Sequence, residues 1–399
     1  MKKVMILGGG ENQIPLILRA KKLGYFIILC DFRNNVEGIK LSDVHYQVNT
    51  LDPSQLIEVG KKEHPQGIIT NSEPVFMSMA QTAEALGLRC MNMDSTKLFK
   101  NKFLMREFCK THNLLYPRYR RCTCLGEAVD FYNEVNGKCI IKPLDNSASR
   151  GVYSISDVTD LNGLFEECLK CSSAENHAII IEEYITGTEF TVDGIMTSNG
   201  HRSLAISEKK HYAYNENVAC QLLFDNQNEN FDYEELRRVN DHLVDLTEIS
   251  FGLTHAEYKY LNGKFYLIEI QARGGGNFIA TDIVPFISGI DEYTEQLKWA
   301  VGDQVNVNFS YNSLSERCAV LHFFDIPGQK GIVKSIEGLD LMDRLGDQLI
   351  YHLNFKVGDY VREAKDDSAR IGWYILKCAS RKELDEKMQI IENNFKIII

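Results

Sequence analysis

The sequence predicts a mixed architecture: an α/β N-terminal domain on a parallel sheet, an α+β region after it, and a β-rich C-terminal module. Three observations carry this. Residues 1–90 alternate short apolar runs with helical patterns in βαβ order, which builds a parallel sheet with right-handed crossovers. After Tyr116-Pro117 the pattern changes, and strands follow one another through glycine-containing turns. Beyond about Val301 the chain is strand-rich, with turns at Pro327-Gly328 and Gly358-Asp359 and a closing helix near Arg381–Asn394.

Composition limits the function. At 399 residues the chain has room for two or three domains with ample cores. Its net charge of −11 argues against a nucleic-acid backbone or an anionic membrane as main partner. No apolar run reaches the ~18 residues of a membrane span. Val4–Leu7 is too short for a signal-peptide core, and a cytoplasmic protein is expected. Eleven scattered cysteines, an odd number, suit a reducing compartment better than a disulfide framework. Cys168 and Cys171 have metal-site spacing, but Leu164, Phe165, Cys168 and Leu169 read as the buried stripe of a helix.

In the first domain Val4–Leu7 is a strand, followed by Gly8-Gly9-Gly10 and a helix over about Glu11–Leu23. Pro15 falls in its first turn, with Ile14, Ile17 and Leu18 as its inward stripe. Tyr25–Cys30 is the second strand, ending at Asp31; Asp52-Pro53 opens a helix, Gly67–Thr70 is a strand, and Glu73-Pro74 opens the next helix. The glycine turn lacks GxGxxG spacing, and Glu11 beside it would repel a pyrophosphate, so a dinucleotide is not expected. A small substrate at the carboxyl ends of the strands fits, near Glu11, Asn12, Asp31 and Glu73. Each of these is equally an ordinary turn or helix-start residue. Asp94 or Ser95 then caps one helix running to about His112 and carrying Lys97, Lys100, Lys102 and Arg106.

Lys142 ends a strand and leads into a small, polar segment through Ser147, Ser149, Arg150 and Gly151. Such a loop offers backbone N–H and hydroxyl groups to phosphates, and taken alone it is equally a plain hairpin loop. Ile179-Ile180-Ile181 runs into Glu182-Glu183-Tyr184-Ile185, a glycine turn, and a strand from Glu189. A connector of this kind can read adenine with backbone groups while the next acid accepts ribose hydroxyls. It can also be an edge strand with two exposed glutamates.

His255 to Gly276 reads as a β-hairpin turning at Asn262-Gly263. A two-residue loop pairs Tyr260 with Phe265 and sends Glu257 and Glu269 to opposite faces. A three-residue loop closed by a left-handed Gly263 pairs Tyr260 with Lys264. Ala256, Tyr258, Tyr266, Ile268 and Ile270 then share an apolar face, and His255, Glu257, Lys259, Glu269, Gln271 and Arg273 share the other, with Phe265 and Leu267 nearer the turn. This second register is the expected one. Two close carboxylates repel unless a cation lies between them, and hard paired oxygens suit Mg²⁺. Arg273-Gly274-Gly275-Gly276 follows at once, an arginine with a run of backbone N–H groups suited to an anion.

In this order the elements resemble the ATP-grasp superfamily: a helix lysine, a strand lysine with a Ser/Gly loop, a Glu-Glu-x-Ile-x-Gly-x-Glu connector, two hairpin glutamates and an Arg-Gly-Gly segment. The ends of the chain are similar to those of carboxylate–amine ligases, L-amino-acid ligases among them, and of carboxyaminoimidazole ribonucleotide synthetase. The resemblance implies a pre-ATP-grasp domain over 1–97 and a two-lobed ATP-grasp domain over 98–300, with a small lobe at about 116–188 and a large one at about 189–300. A C-terminal module over 301–399 closes it.

The resemblance further implies ATP phosphates on Lys102, Lys142 and the loop of Ser147, Ser149, Arg150 and Gly151. Adenine would lie at Glu182, Glu183 and Ile185, and ribose at Glu189. Mg²⁺, or Mn²⁺ in its place, would lie on Glu257 and Glu269 with Gln271 where many relatives have Asn. Arg273 would stabilise the transferring phosphoryl group together with Lys209 or Lys210, and Gly275, Gly276 and Asn277 would lie beside the substrate with Glu11, Asn12 and Glu73. The implied activity is ADP-forming ligation of a small-molecule carboxylate to an amine through an acyl phosphate. Alternatives are activation of bicarbonate or formate for a ribonucleotide acceptor, and ATP binding without chemistry. No nucleic acid or membrane partner is expected, and a homodimer is compatible.

Overall fold

The computed structural model describes residues 1–146, 149–172, 177–307 and 316–399. Strands β1 (Lys3–Leu7), β2 (Phe26–Asp31), β3 (Val44–Gln47) and β4 (Gly67–Ile69) form a parallel sheet in the order β3-β2-β1-β4. Helices α1 (Ile14–Lys22), α2 (Gly38–Leu41), α3 (Pro53–Glu63) and α4 (Phe76–Leu86) connect and flank it. Residues 4–7 are buried on both sides of the sheet, as a parallel strand requires. One face packs Leu56, Val59 and Val75, and the other joins a core shared with the large sheet described below. On α1 the buried residues are Leu16, Ile17 and Ala20, while Leu18 is exposed. Of the expected stripe, Ile17 is buried and Ile14 packs on the core, while Leu18 faces out and Leu16 and Ala20 face in.

The single helix expected up to about His112 is two helices, α5 (Met93–Lys100) and α6 (Lys102–Thr111). Asn92, not Asp94 or Ser95, caps the first through Ser95 N–H. Asn101 is extended and its side chain accepts the N–H groups of Phe103 and Leu104, so a fresh helix starts there. That break makes Lys102 the first residue of α6.

The small lobe is an antiparallel sheet in the order β5-β8-β6-β7, from β5 (Tyr119–Cys122), β6 (Cys139–Pro143), β7 (Tyr153–Ile155) and β8 (Ile179–Glu183). Helices α7 (Leu125–Val135) and α8 (Leu161–Lys170) cover it through Phe131, Phe165 and Cys168. Cys168 is buried, and all eleven cysteines are free.

The large sheet has eight strands. β9 (Thr188–Thr197), β10 (Gly200–Tyr212), β11 (Asn215–Phe224), β12 (Gly252–Leu261) and β13 (Lys264–Gln271) come from the central region. β14 (Cys318–Phe323), β17 (Leu349–Leu353) and β19 (Gly372–Cys378) come from the C-terminal part, giving the order β13-β12-β9-β10-β11-β14-β19-β17. The C-terminal residues therefore extend the large-lobe sheet through the β11–β14 pairing. Two short pairs complete the strands, β15 (Lys330–Ile332) with β18 (Tyr360–Arg362) and β16 (Ser335–Glu337) with β20 (Lys396–Ile398). Of the remaining helices, α9 (Tyr233–Leu246) packs on the central strands, α10 (Val284–Ser288) and α11 (Glu292–Ala300) face the N-terminal domain, and α12 (Leu339–Arg344) and α13 (Arg381–Asn394) cover the C-terminal strands.

The β12–β13 hairpin departs from the expected register. Tyr260 pairs with Phe265 and Leu261 with Lys264, so the loop has two residues, Asn262 and Gly263. Both have positive φ, 52° and 81°, the geometry an Asn-Gly hairpin turn favours. Phe265 and Leu267 therefore face the core with Tyr258 and Ala256, while Tyr266 and Ile268 do not. The register then shifts between Glu257 and Tyr258, with Tyr258 opposite Leu267 and Glu257 opposite Glu269. Ile268 is the extra residue of a β-bulge, whose carbonyl accepts a 2.6 Å hydrogen bond from Arg106 Nη2. One inserted residue flips the faces back, so the two glutamates end as direct cross-strand partners.

Candidate active site

The two lobes enclose a cavity of about 430 Å³. Its floor is the polar face of β12 and β13, where His255, Glu257 and Lys259 alternate and Glu269 and Gln271 stand opposite. Lys102 Nζ reaches in from the start of α6, 3.1 Å from Glu269 Oε1 and 2.7 Å from the Asn146 carbonyl. Lys209 Nζ lies 3.0 Å from Glu257 Oε1 and 2.6 Å from Glu189 Oε1. Burial raises the Glu189 carboxyl, but Lys209, His211 and Lys259 outweigh it and hold the group at about 2. For Glu257 burial again works upward and Lys209 brings the net shift downward. Strand alternation sends Lys210 to the other face, where it is exposed and outside the cavity lining. Of the two candidate lysines, Lys209 is the one that faces the glutamates.

The hairpin oxygens suit a hard divalent cation. Gln271 Nε2 donates to Glu269 Oε1 at 3.0 Å, and Gln271 Oε1 is buried without a protein partner. Among the described residues no group of three or more His, Cys, Asp or Glu could hold a metal. Two carboxylates and an unpartnered amide oxygen fit a hard divalent cation such as Mg²⁺, which would draw its remaining oxygens from elsewhere.

Arg273 lines the cavity, donates Nη1 to the Gly274 carbonyl at 2.9 Å, and brings Nε within 3.9 Å of Glu73 Oε2. Burial raises the Glu73 carboxyl; Arg273 opposes this and Glu269 adds to it. Gly276 and Asn277 line the cavity, whereas Gly275 lies behind it with its N–H on Asp193 Oδ1 at 2.9 Å. A side chain at Gly275 would meet that oxygen at 2.7 Å, so only glycine fits. Asp193 Oδ1 also lies 3.0 Å from His255 Nδ1.

Several expected residues stand elsewhere. Glu182 is fully buried, with one carboxylate oxygen 2.7 Å from Arg106 and the other 2.8 Å from Lys142. Its side chain meets those two cations and is not among the cavity lining; burial raises its pKa, but the cations bring it to about 2. Lys142 does line the cavity, though its ammonium points to Glu182. Glu183 N–H donates to the Arg118 carbonyl and its carboxylate to Arg118 is an ion pair, so of the connector it is Tyr184 that lines the cavity, not Glu183 or Ile185. Ser149 lines the cavity with φ 57°, while Arg150 and Gly151 do not, and Ser147 lies outside the described residues. Glu11 and Asn12 are exposed outside the cavity lining, and the Asn12 carbonyl accepts from Asn71. Asp31 is buried and fastens the glycine turn by accepting from Gly9 N–H and Arg33.

Other lining residues went unassigned in the sequence. Lys259, expected on the polar hairpin face but given no role, sits over the Tyr184 ring at 4.4 Å. Arg370, 8% exposed, lies 3.6 Å over the Phe323 ring at the opposite wall, with Nη2 on the Ala219 carbonyl and Nε buried without a partner. Nothing in its local sequence marks it.

Residues 135–282 match the family described as ATP-grasp domain. A formate-dependent phosphoribosylglycinamide formyltransferase of Prochlorococcus marinus (strain MIT 9515) is 25% identical over 277 residues, 68% of this chain and 67% of that one. The protein of that name from Bacillus subtilis (strain 168) is 25% identical over 202 residues, 50% and 53% of the two chains. The chain thus spans between about half and two thirds of the length of these relatives. Among solved structures, L-amino acid ligase from Bacillus licheniformis superposes with TM-score 0.80 at 19% identity, covering 100% of this chain and 98% of that one. Phosphoribosylglycinamide synthetase from Anaerococcus prevotii does so with TM-score 0.75 at 19% identity, covering 100% and 99%. At such identity the likeness is one of fold. Residues 135–282 therefore carry an ATP-grasp domain, and the chain as a whole has a fold like that of the L-amino acid ligase and the phosphoribosylglycinamide synthetase.

Proposed function

We propose that this chain is an ATP-dependent, ADP-forming ligase that joins a small-molecule carboxylate to an amine through an acyl phosphate. The observation that carries the reading is the bulge-restored pairing of Glu257 with Glu269, each facing a lysine, with Arg273 beside them. Glu257, Glu269 and the Gln271 oxygen would hold Mg²⁺, or Mn²⁺ in its place, which neutralises charge on the phosphates. Lys102 and Lys209 would bind phosphate oxygens, and Tyr184, Ile140 and Ile268 would wall the nucleotide's other end, beside Glu189. A substrate carboxylate oxygen attacks the γ-phosphorus and ADP leaves; Arg273 is placed to stabilise the charge on the moving phosphoryl group. The amine then attacks the acyl carbon, the C–N bond forms, and phosphate departs with the C–O electrons. Water must be kept out meanwhile, and Ser149 and Ser154, which donate to Asn217 at 3.4 and 3.2 Å, tie the small lobe over the cavity.

A second reading narrows the carboxylate to formate and the amine to a phosphoribosyl glycinamide. The relatives' name favours it; Arg370 on the cavity wall, ion-paired with Asp367 at 2.8 Å but with Nε unpartnered, would face an anionic group on a co-substrate. Phosphate release in a matrix of carboxylates and amines tests both. Release with formate and phosphoribosylglycinamide supports the narrow reading; release with amino acids supports general ligation; none with any pair leaves ATP binding without chemistry. The proposed setting is the cytoplasm, with no nucleic-acid or membrane partner; among the described residues no helix is long and apolar enough to cross a membrane. Sedimentation would test a homodimer.

A further inference from the structure

Each hairpin carboxylate has a lysine of its own. Glu269 Oε1 meets Lys102 Nζ at 3.1 Å and Glu257 Oε1 meets Lys209 Nζ at 3.0 Å. The two lysine side chains are 10% and 14% exposed, so water screens these pairs weakly. Lys209 also holds Glu189, which has Lys259 at 3.8 Å on its other side. Three carboxylates and three ammonium groups therefore cancel on the cavity floor, and Glu73 and Arg273 cancel beside them.

A divalent cation shared by Glu257 and Glu269 would sit beside the ammonium groups that already neutralise these carboxylates, one oxygen of each being taken by a lysine. Arriving alone, it would add positive charge to a floor already neutral, leaving Lys102 only the Asn146 carbonyl and Lys209 only Glu189. Arriving with nucleotide phosphates, it offers the displaced ammonium groups a better anion, and the floor stays neutral. Lysine suits the exchange, being a point charge on a flexible stem with no fixed fork to break.

We propose that Lys102 and Lys209 hold the places of the metal on Glu269 and Glu257, so that the divalent cation binds together with the nucleotide and not ahead of it. The proposal rests on the metal-binding reading of the hairpin given above. The test is titration of the full chain with Mn²⁺, followed by calorimetry and by the paramagnetic signal of free Mn²⁺, with and without a non-hydrolysable ATP analogue. Wild type should bind Mn²⁺ weakly alone and strongly with the analogue. Lys102→Met, which leaves Glu269 with the Gln271 amide, should bind Mn²⁺ alone about tenfold more tightly or better, since it frees a carboxylate oxygen and removes a repelling charge. Lys102→Met/Lys209→Met should gain further, with circular dichroism checking the fold, and Glu269→Gln in either background should cancel the gain. If Lys102→Met binds Mn²⁺ no more tightly while Glu269→Gln still weakens Mn²⁺ binding with the analogue, the place-holding role is wrong and the metal site stands. If Glu269→Gln leaves Mn²⁺ binding with the analogue unchanged, the metal assignment itself fails and the proposal with it.

Discussion

Glu269 shows how much one side chain is asked to do. Its Oε1 meets Lys102 at 3.1 Å and accepts from Gln271 at 3.0 Å, while its backbone sits directly across from Glu257. Replacing it with Gln keeps the volume and removes the charge that a divalent cation needs. We expect Glu269→Gln to abolish ATP turnover, measured as ADP release at saturating Mg²⁺, with an unchanged circular dichroism spectrum. Glu257→Gln should come close to the same loss. Near-normal turnover in either would remove the hairpin from the metal site. The hairpin residues expected at the site, Glu257, Glu269, Gln271 and Arg273, do line the cavity, and each has neighbours of like chemistry on the same strand face. Arg370 lacked such a context: it meets the cavity only because β19 joins a sheet begun far earlier in the chain.

At the scale of elements the β12–β13 hairpin and strand β8 each make a prediction. Gly263 has φ 81°, and a Cβ there would meet nothing within 4 Å, so the cost of Gly263→Val is backbone strain alone. About 1–2 kcal/mol of lost stability is expected in urea denaturation, and less for Gly263→Asn. Nucleotide affinity should barely change, because the bulge at Ile268, and not the turn, sets the pairing of the two glutamates. On β8, Glu182 bridges Arg106 and Lys142 in a buried triad. Glu182→Gln leaves two cations without their carboxylate and should cost about 3–5 kcal/mol near neutral pH. The Glu182 pKa is lowered from 4.5 to about 2 in the fold, so its contribution is present above the unfolded value. It is lost as pH falls through the folded one. The stability gap between wild type and Glu182→Gln should therefore narrow as the denaturation series is taken from pH 5 toward pH 2. A gap independent of pH would mean that the carboxylate is not charged in the triad.

For the whole molecule, the N-terminal domain is fastened to the grasp rather than tethered to it. Arg19 grips Asp291 with Nε at 2.7 and 2.8 Å from its two oxygens and reaches the Thr281 carbonyl at 2.8 Å. Lys2 meets Asp303 at 2.6 Å, and the faces of β1 and β2 share a core with residues of the large sheet and of α11. That docking is what carries Glu73 to within 3.9 Å of Arg273. If the N-terminal domain selects substrate, Glu73→Ala should raise the KM for a co-substrate severalfold and leave the KM for ATP unchanged. A shift confined to the ATP KM would reverse the assignment.

Taken by itself, the sequence determined the order and kind of many elements in the first 300 residues and the closing helix, because apolar period, glycine turns and prolines act over a few residues. It also determined the ATP-grasp assignment, since lysine, loop, connector and paired glutamates lie in one order along the chain. Only the tertiary structure decided which faces meet. The choice between Lys209 and Lys210 rests on strand alternation relative to β9 and β12, and the partnership of Glu182 with Arg106 rests on α6 packing over β8. The hairpin makes the reason plain. Asn262-Gly263 set a two-residue turn locally, yet the pairing of Glu257 with Glu269 came from a bulge at Ile268 whose carbonyl binds Arg106, a residue more than a hundred positions away. Register depends on partners that are distant in the chain, and a pattern with a period of two cannot show where one residue has been inserted.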